Sequence, residues 1–290
     1  MKIKRTHLAF FLSLSMALVC TIFIGCSEDS PMEATPTSTL TSGADAAESI
    51  AGAVGEQSGG IMDQVGDILA LTNSVQLGKA AGDGFLDHRE ATYDETTGVW
   101  TLFVRRERGV QGEVPYGYWD RTFTYQFLNV DGEPQKNFIT GTDTARTINF
   151  NIVEGDGYHM NFRLAHDLKE IQGAFVATNV NTDLVTVNGT YQRAAVDTIT
   201  TEKFTRLSDH TLNVTVTDLV GPKGSRRDLS QKVSGTITGT FHADITFQVD
   251  RGYAEKTVDK SIKIVIQGGS AEIDVDGEKY LSNVQTGQVN

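Results

Sequence analysis

The chain has 290 residues, enough for a domain with a large core, and 37 acidic against 25 basic residues give a net charge of −12. An acidic surface of this kind disfavours nucleic acid and anionic lipid surfaces, so we predict no nucleic-acid partner. The two cysteines, Cys20 and Cys26, both lie near the N-terminus and exclude a disulfide framework.

The first 25 residues have the features of an export signal. Lys2, Lys4 and Arg5 precede an apolar run from Leu8 to Gly25, which ends in Phe-Ile-Gly directly before Cys26. A small residue before a cysteine, at the end of a short apolar segment, distinguishes a lipoprotein signal from an ordinary secretory one. The sequence FIGC resembles the bacterial lipobox, and this resemblance implies cleavage before Cys26 and lipidation of its thiol.

One residue of this motif departs from the usual pattern, because Phe23 occupies the position at which leucine is common. The alternative is a plain transmembrane anchor, since about 18 apolar residues can just span a bilayer. Cleavage of residues 1–25 would remove three positive charges and no negative ones, leaving a net charge of −15. We therefore predict a soluble body that is attached to a membrane of the cell envelope through its N-terminal lipid.

Residues 26–43 comprise the lipidated cysteine and a flexible tether. They are rich in Ser, Thr, Pro and Glu and lack the large apolar side chains that would order them. Ser27, rather than Asp, follows the cysteine, which favours the outer membrane in enterobacteria-like hosts. Ser27-Glu28-Asp29 also resembles the surface-export signals of Bacteroidetes lipoproteins. We predict a protein anchored in the outer membrane, on its periplasmic face or at the cell surface.

Residues 44–80 form a helical segment. Ala46, Ile50 and Val54 recur at helical spacing, and a second apolar stripe follows Gly59-Gly60 from Ile61 onward. We predict one broken helix or two short ones. Glycines inside the segment weaken it by roughly 1 kcal/mol each relative to alanine, so it needs a partner surface. We expect that surface to be the following sheet.

Residues 81–290 show the two-residue period of antiparallel strands with one apolar and one polar face. Turn signals at residues 131–132, 155–157, 188–189, 268–269 and 276–277 separate the strands, and no helix-length pattern lies between them. We predict a mainly β fold: a meander of eight to eleven strands that forms a strongly curved sheet, an open half-barrel or a barrel-like sheet. The clearest strand runs from residue 233 to 249. We expect the helical segment to pack across its apolar face.

This general layout is similar to that of the lipoprotein-carrier and outer-membrane receptor family, which are half-barrels with helices across the opening. The similarity is one of shape, because no motif of that family is matched. It implies a concave apolar face that binds a lipid-like ligand.

Two acidic segments have residue types that could bind a metal. The first contains Asp83, Asp87, His88 and Glu90, but it lacks the alternating oxygen ligands of a calcium loop. We interpret it as a polar connection from helix to sheet. The second, 274–278, contains an Asp-Gly pair that a hairpin turn already explains. We predict no metal site and no cofactor.

Catalytic signatures are absent from the sequence. Ser208, Asp209 and His210 are neighbours in the chain and so point in different directions, and we interpret them as a turn. There is no nucleophile elbow, phosphate-binding loop or zinc-protease motif. A carboxylate pair could remain hidden among 37 acidic residues, so whether the protein is an enzyme stays open, with a non-enzymatic role favoured.

Four residues are the candidates for contact with a ligand or partner. Tyr116, Tyr118 and Trp119 cluster beside glycines in a predicted loop, where exposed aromatic rings could anchor a partner. Packing at the edge of the core is the alternative. Arg193 interrupts the apolar face of a strand, so it either marks the strand's end or points a charge into a cavity. The basic segment 222–227 is interpreted as a solvated hairpin end.

The leading functional hypothesis is a non-enzymatic lipoprotein that binds an apolar, lipid-like ligand or an envelope protein. The alternative is a structural, surface-display or adhesion module with a filled β core. A transmembrane β-barrel and a hidden hydrolase are further alternatives.

Overall fold

The computed structural model describes residues 42–72, 85–160, 162, 164–224, 229, 233–249 and 252–290. Two helices come first, α1 (Ser42–Val54) and α2 (Ile61–Leu71). The prediction of two short helices is therefore confirmed, with the first beginning two residues before the predicted boundary. Cys26, most of the predicted tether and residues 73–80 lie outside the described residues.

The rest of the chain is a succession of strands. They are β1 (Phe85–Asp94), β2 (Val99–Arg108), β3 (Tyr116–Leu128), β4 (Pro134–Gln135), β5 (Ile139–Thr140), β6 (Asp143–Thr144), β7 (Thr147–Met160), β8 (Leu164–Thr178), β9 (Leu184–Thr200), β10 (Phe204–Pro222), β11 (Ser234–Val249), β12 (Gly252–Gln267), β13 (Ser270–Val275), β14 (Glu278–Asn283) and β15 (Gln288–Val289).

Thirteen of these strands form one antiparallel sheet, and the long strands follow one another in chain order, as a meander requires. β4 pairs only with β3, and β5 with β6 forms a separate two-residue ribbon. The sheet exceeds the predicted eight to eleven strands by two-residue β4 and β15, and its other eleven strands in the described part of the chain have six residues or more. β1 and β15 are the two edges of an open sheet. The predicted fold class is confirmed.

Both helices pack on one face of this sheet and are buried nearly all round. Twelve neighbouring strands laid flat would be roughly 55 Å wide, several times the diameter of a helix. Side chains of the helices nevertheless contact β2, β3, β9, β10 and β12. The sheet must therefore curve around them, and the apolar residues of α1 and α2 form a single core with the inward residues of the strands.

The break between the helices is set by Gly59. Its φ of +71° is in the region that favours glycine. A Cβ there would lie 2.3 Å from Trp119 Nε1 and 2.7 Å from Arg121 Nη2, so the backbone passes too close to β3 for any side chain. The Gly59 carbonyl accepts a hydrogen bond from Arg121 Nη2 at 2.6 Å. Gly59 thus lies in the connection between α1 and α2 and ties this connection to the sheet.

Arg121 belongs to a group of four charged residues that we call the α2 clamp: Asp63, Asp67, Arg106 and Arg121. Arg106 Nη1 donates to both carboxylate oxygens of Asp63 at 2.8 Å, and its Nη2 donates to Asp67 at 2.6 Å. Arg121 Nη1 also donates to Asp63. The two arginines are 5% and 2% exposed, so the clamp joins α2 to β2 and β3 from within the core.

Two of the predicted turns are wrong, because they lie inside long strands. Residues 155–157 are part of β7, and Asn188-Gly189 is part of β9. The glycines are needed there for close approach: a Cβ at Gly157 would be 2.7 Å from the Tyr118 carbonyl, and one at Gly189 would be 2.2 Å from that of Ala174. The predicted turns at residues 131–132, 268–269 and 276–277 are confirmed.

Candidate functional site

The aromatic cluster of residues 116–119 does not form the predicted loop. Tyr116, Tyr118 and Trp119 are the first residues of β3, and only Tyr118 is more than slightly exposed. Trp119 points inward against Gly59 and stacks on His159, with ring centroids 6.2 Å apart. Tyr118 points outward, where the Arg105 guanidinium lies 5.2 Å from its ring centroid. The loop prediction is wrong, and a role of these residues in partner contact stays a prediction.

Arg193 lies in the middle of β9, not at its end, and its side chain is only 3% exposed. It points toward the inner face of the sheet, like Tyr191 and Ala195 on either side of it. There it lines a cavity of about 550 Å³. The sequence left two alternatives for Arg193, the end of a strand or a charge that points into a cavity. The structure supports the second.

This cavity, which we call the α1 cavity, lies between α1, the inner face of β8 and β9, and residues 286–289 at the C-terminus. Glu48, Ser49 and Gly52 form its α1 side. A Cβ added to Gly52 would meet no atom within 4 Å, so the helix leaves open space at this point.

Part of the cavity lining is apolar. Leu164 and Ile199 come from the paired ends of β8 and β9, Val289 comes from β15, and Phe162 lies between β7 and β8. Phe162 is 89% exposed, which places it at the mouth. We call these four residues the apolar wall. They give the α1 cavity an apolar lining in addition to the charged lining that Arg193 provides.

The charged side is a connected set of buried residues, the cavity cluster: Ser49, His166, Arg193, Asp197 and His210. Arg193 Nη2 donates to His166 Nε2, and His166 Nδ1 donates to Asp197. Because arginine can only donate, His166 must carry its proton on Nδ1 and be neutral. Ser49 Oγ donates to the other oxygen of Asp197 at 2.8 Å, which ties α1 to β9.

Burial and the cationic neighbour control ionisation in this cluster. Burial lowers the pKa of His166, and the adjacent Arg193 charge lowers it further. Burial likewise lowers the pKa of His210 to about 4. Burial opposes the charge on Asp197, but the hydrogen bonds that it accepts from His166 and Ser49 outweigh this effect and hold its pKa well below the usual range. At neutral pH the cluster is one carboxylate and one guanidinium joined by a neutral imidazole.

Several polar atoms of the cluster make no hydrogen bond to the described residues. They are Nε and Nη1 of Arg193 and Nε2 of His210. The Tyr191 hydroxyl, two residues before Arg193 on the same face of β9, is also buried without a partner among these residues. Unsatisfied buried donors cost about 1–3 kcal/mol each. This part of the core therefore has hydrogen-bonding capacity that the protein itself does not use.

A second arginine at the cavity is fully engaged. Arg206 on β10 donates through Nη1 to Asp45 and through Nη2 to Glu48, the latter at 2.7 Å. Lys256 on β12 donates to the other oxygen of Asp45. These bonds hold the first turn of α1 against the sheet. Arg206 thus fixes the wall of the cavity, and Arg193 is the cation with unused donors.

The cluster contains serine, histidine and aspartate but is not arranged as a hydrolytic triad. In a triad the serine donates to the histidine, which is oriented by the carboxylate. Here Ser49 donates to Asp197, and the imidazole nitrogen that would act as a base accepts from Arg193. Among the described residues, Ser49 therefore donates to a carboxylate and not to a base. In the part of the chain that the structure describes, no group of His, Cys, Asp and Glu is arranged to hold a metal ion.

Sequence reasoning found Arg193 but missed its partners. Asp197 lies four residues after Arg193 in β9, and alternate residues of a strand share a face. The two-residue period could therefore have placed both side chains on the inner face. His166, which no sequence motif singles out, lies in β8 and is 8% exposed. Residues 208–210 were interpreted as a turn, and they lie in β10, which begins at Phe204 and places His210 inward.

The remaining sequence candidates lie elsewhere. Asp87, His88 and Glu90 lie on β1 and not on a connection, and exposed His88 and Glu90 form an ion pair of 3.1 Å. Asp83 is outside the described residues. Asp276 lies in the β13–β14 hairpin and accepts from the Ser261 backbone at 3.0 Å. Residues 225–227 of the basic segment are also outside the described part.

Comparisons with other proteins give no further direction, since no family model, curated protein or solved structure matches this chain. Within the described residues, neither helix combines the length and the apolar character needed to cross a membrane.

Proposed function

We propose that the chain is a non-enzymatic lipoprotein of the cell envelope, attached to the outer membrane through Cys26, which binds a lipid-like ligand in the α1 cavity. The observation that carries the proposal is a cavity of about 550 Å³ that is lined both by the buried Arg193 and by the apolar wall. Small-molecule sites typically have about 300–1,000 Å³, are largely apolar, and contain a few convergent polar groups. The α1 cavity has these three properties.

The position of the cavity supports the link to a membrane anchor. Glu48 and Ser49, in the first two turns of α1, line it, and the chain enters α1 at Ser42. A tether that precedes α1 would therefore join the domain close to the cavity. Fifteen residues, 27–41, separate Cys26 from α1, and a flexible tether of this length would have a reach on the order of 20 Å, so a lipidated Cys26 would keep the site near the membrane surface. A ligand could then exchange with the lipid phase over a short distance.

The ligand is tested by solvent extraction and mass spectrometry of the full chain purified from membranes. The control is Gly52→Leu, which places a side chain into open space in the cavity and replaces a glycine that weakens α1. We expect a lipid-sized compound to be enriched in the wild-type extract over that of Gly52→Leu. Adventitious membrane lipids should be equal in both. Equal extracts throughout would overturn ligand binding in the cavity.

The anchor is tested separately with Cys26→Ser. We expect this variant to leave the detergent-rich phase on phase separation, because it cannot carry a diacylglycerol. A Cys20→Ser control should partition like the wild type. Retention of Cys26→Ser in the detergent phase would instead favour the plain transmembrane anchor.

A structural or surface-display module is the second candidate, and one observation favours it. α1 and α2 cover the inner face of the sheet with residues such as Ile50, Ile61 and Ile68, all 0% exposed. Most of the concave face is therefore filled by the protein's own helices. If the extraction experiment gives no enriched compound, this candidate remains, with outward Tyr118 as the residue of the predicted aromatic cluster to test first.

A further inference from the structure

The unused donors of Arg193 carry information about the head group of the ligand. Arg193 is 3% exposed, lines the cavity, and donates only through Nη2 within the described residues. A guanidinium presents its donors in a planar fork that matches the two oxygens of a carboxylate, and such charge-assisted pairs are about twice as strong as neutral hydrogen bonds. Because Arg193 lines the cavity, a rotation of its guanidinium would bring the covered donors Nε and Nη1 to an acceptor placed there.

We propose that the α1 cavity binds an amphipathic molecule with a single carboxylate head, which pairs with Arg193, and an apolar chain that lies along the apolar wall. This inference rests on the proposed function and names the class of its ligand.

The other charges around the cavity argue for an anion at Arg193 and against a cation. The carboxylate of Asp197 already accepts from His166 and Ser49, and that of Glu48 accepts from Arg206. A cationic head would therefore find acidic groups that are engaged and a guanidinium that repels it. A neutral head, such as a hydroxyl, could accept from Arg193 but would not use the geometry of its fork.

A second negative charge beside Asp197 needs compensation, and the cluster contains groups that can provide it. His166 on β8 and His210 on β10 flank Asp197 and are neutral at pH 7, since burial and the Arg193 charge lower the pKa of each. Engagement of Arg193 by an anion weakens that repulsion and favours proton uptake on an imidazole. The site can thus accept a monoanion without leaving a net buried charge.

The size of the cavity bounds the chain. If each non-hydrogen atom takes about the 30 Å³ of a water molecule in the liquid, a volume of about 550 Å³ holds roughly 18 such atoms. Dodecanoate fits within this limit. Exposed Phe162 at the mouth leaves a path for a longer chain to extend outward.

The test uses the full chain in lipid nanodiscs and radiolabelled dodecanoate, with Gly52→Leu protein as the background. Unlabelled dodecanoate, dodecanol and dodecyltrimethylammonium compete for the site. They have the same apolar chain and differ in the head. We expect dodecanoate to compete about 10- to 100-fold better than dodecanol, the gain typical of hydrogen bonds to charged groups, and the ammonium compound to be the weakest.

Variants at Arg193 assign the effect to this residue. Arg193→Met should lose about 10- to 100-fold in dodecanoate affinity and leave dodecanol affinity within about two-fold. Arg193→Lys keeps the charge without the fork and should fall between them. Because the three competitors are compared on the wild-type protein, the inference stays testable even if a variant fails to fold.

The outcomes distinguish the inference of a carboxylate head from the proposed function, the binding of a lipid-like ligand in the α1 cavity. Equal competition by all three compounds would overturn the carboxylate and leave the lipid-binding cavity intact. Binding of dodecanoate that Arg193→Met does not weaken would also overturn it. If the wild type binds no more label than Gly52→Leu, both the inference and the proposed function fail.

Discussion

The α2 clamp and the cavity cluster are built from the same kinds of residue but are completed in different ways. In both, an inward-pointing arginine on a strand connects to an acidic residue and a helix. In the clamp, Arg106 and Arg121 are each held by two partners, and Asp63 serves both of them. In the cavity cluster, Arg193 reaches Asp197 only through His166 and keeps Nε and Nη1 unused among the described residues.

The difference shows that a buried charge is not by itself a sign of function. Buried ion pairs are often structural, and breaking one of them costs much more than it ever contributed. What sets the cavity cluster apart is the combination of neutral histidines and an adjoining cavity. Perturbed ionisation beside a void is the combination expected of a binding site.

The largest expected effect comes from breaking the α2 clamp. Asp63→Asn keeps the shape of the side chain but removes the charge that both arginines share. Two buried guanidinium groups would then lose a shared counter-charge and keep the ion pair of Arg106 with Asp67, and we expect the free energy of unfolding to fall by about 3–5 kcal/mol. Urea unfolding at pH 7 measures this. Asp209→Asn, on the outer face of β10, is the control and should change stability by less than about 0.5 kcal/mol.

A loss below about 1 kcal/mol for Asp63→Asn would mean that the arginines re-pair locally. The loss of one charged partner would then cost the clamp no more stability than it costs the cavity cluster.

The next effect is a pH dependence that belongs to the cavity cluster alone, because the clamp contains no histidine. The pKa of His210 is about 4 in the folded chain, below the ordinary value of 6.5. Between these pH values the unfolded chain binds more protons, so stability falls as pH decreases from about 6.5 to about 4. The full shift corresponds to a loss on the order of 3 kcal/mol.

His210→Gln should reduce this loss of stability toward acid pH, which we call the acid limb. Urea titrations at pH 7, 5.5 and 4 measure the free energy of unfolding. Exposed His242 is the control, since Asp259 raises its pKa and its removal cannot flatten the limb. An unchanged slope in His210→Gln would assign the acid sensitivity to other groups, with His166 the first to examine.

These two regions also show how far the sequence could lead. The two-residue period of apolar side chains predicted the strands, including the strand over residues 233–249, which corresponds to β11. The same period placed Arg193 on an apolar face. It could not supply the partners, because Ser49 lies 148 residues from Asp197 and His166 lies 27 from Arg193. Only the register of β8 with β9 and the docking of α1 bring them together.

The failures of sequence reasoning have a common physical cause. Glycine and polar residues usually indicate turns between short strands. In β7, β9 and β10 they lie instead within long curved strands that wrap around the helices. Gly157 and Gly189 allow close approach of neighbouring backbone, and His210 faces inward because the cavity cluster satisfies part of its polarity. The aromatic residues 116–119 were misplaced for the same reason, since Trp119 packs against the backbone of Gly59.

A smaller effect on stability is expected from Arg193→Met, in contrast to the equivalent change in the clamp. Loss of the guanidinium removes the charge that lowers the pKa of His166, and the imidazole can then take up a proton and balance Asp197 itself. We expect a cost below about 2 kcal/mol, against about 3–5 kcal/mol for Arg121→Met. Nuclear magnetic resonance titration should show a higher pKa for His166. If both variants cost the same, Arg193 is a second structural clamp.

The smallest effect is expected from Ser49→Ala. Ser49 contributes one hydrogen bond to Asp197, a carboxylate that keeps His166 as a partner, so its loss should cost about 1–2 kcal/mol. Because Ser49 has no contact with a basic nitrogen, dodecanoate binding should survive the substitution and a serine-reactive phosphonate should not label the wild type. Ser58→Ala, which removes a bond to the Gly52 carbonyl, controls for the loss of a helix contact. Labelling of Ser49 would mean that the Ser49–Asp197 bond can exchange for one to His166, and the cavity would then be a catalytic site.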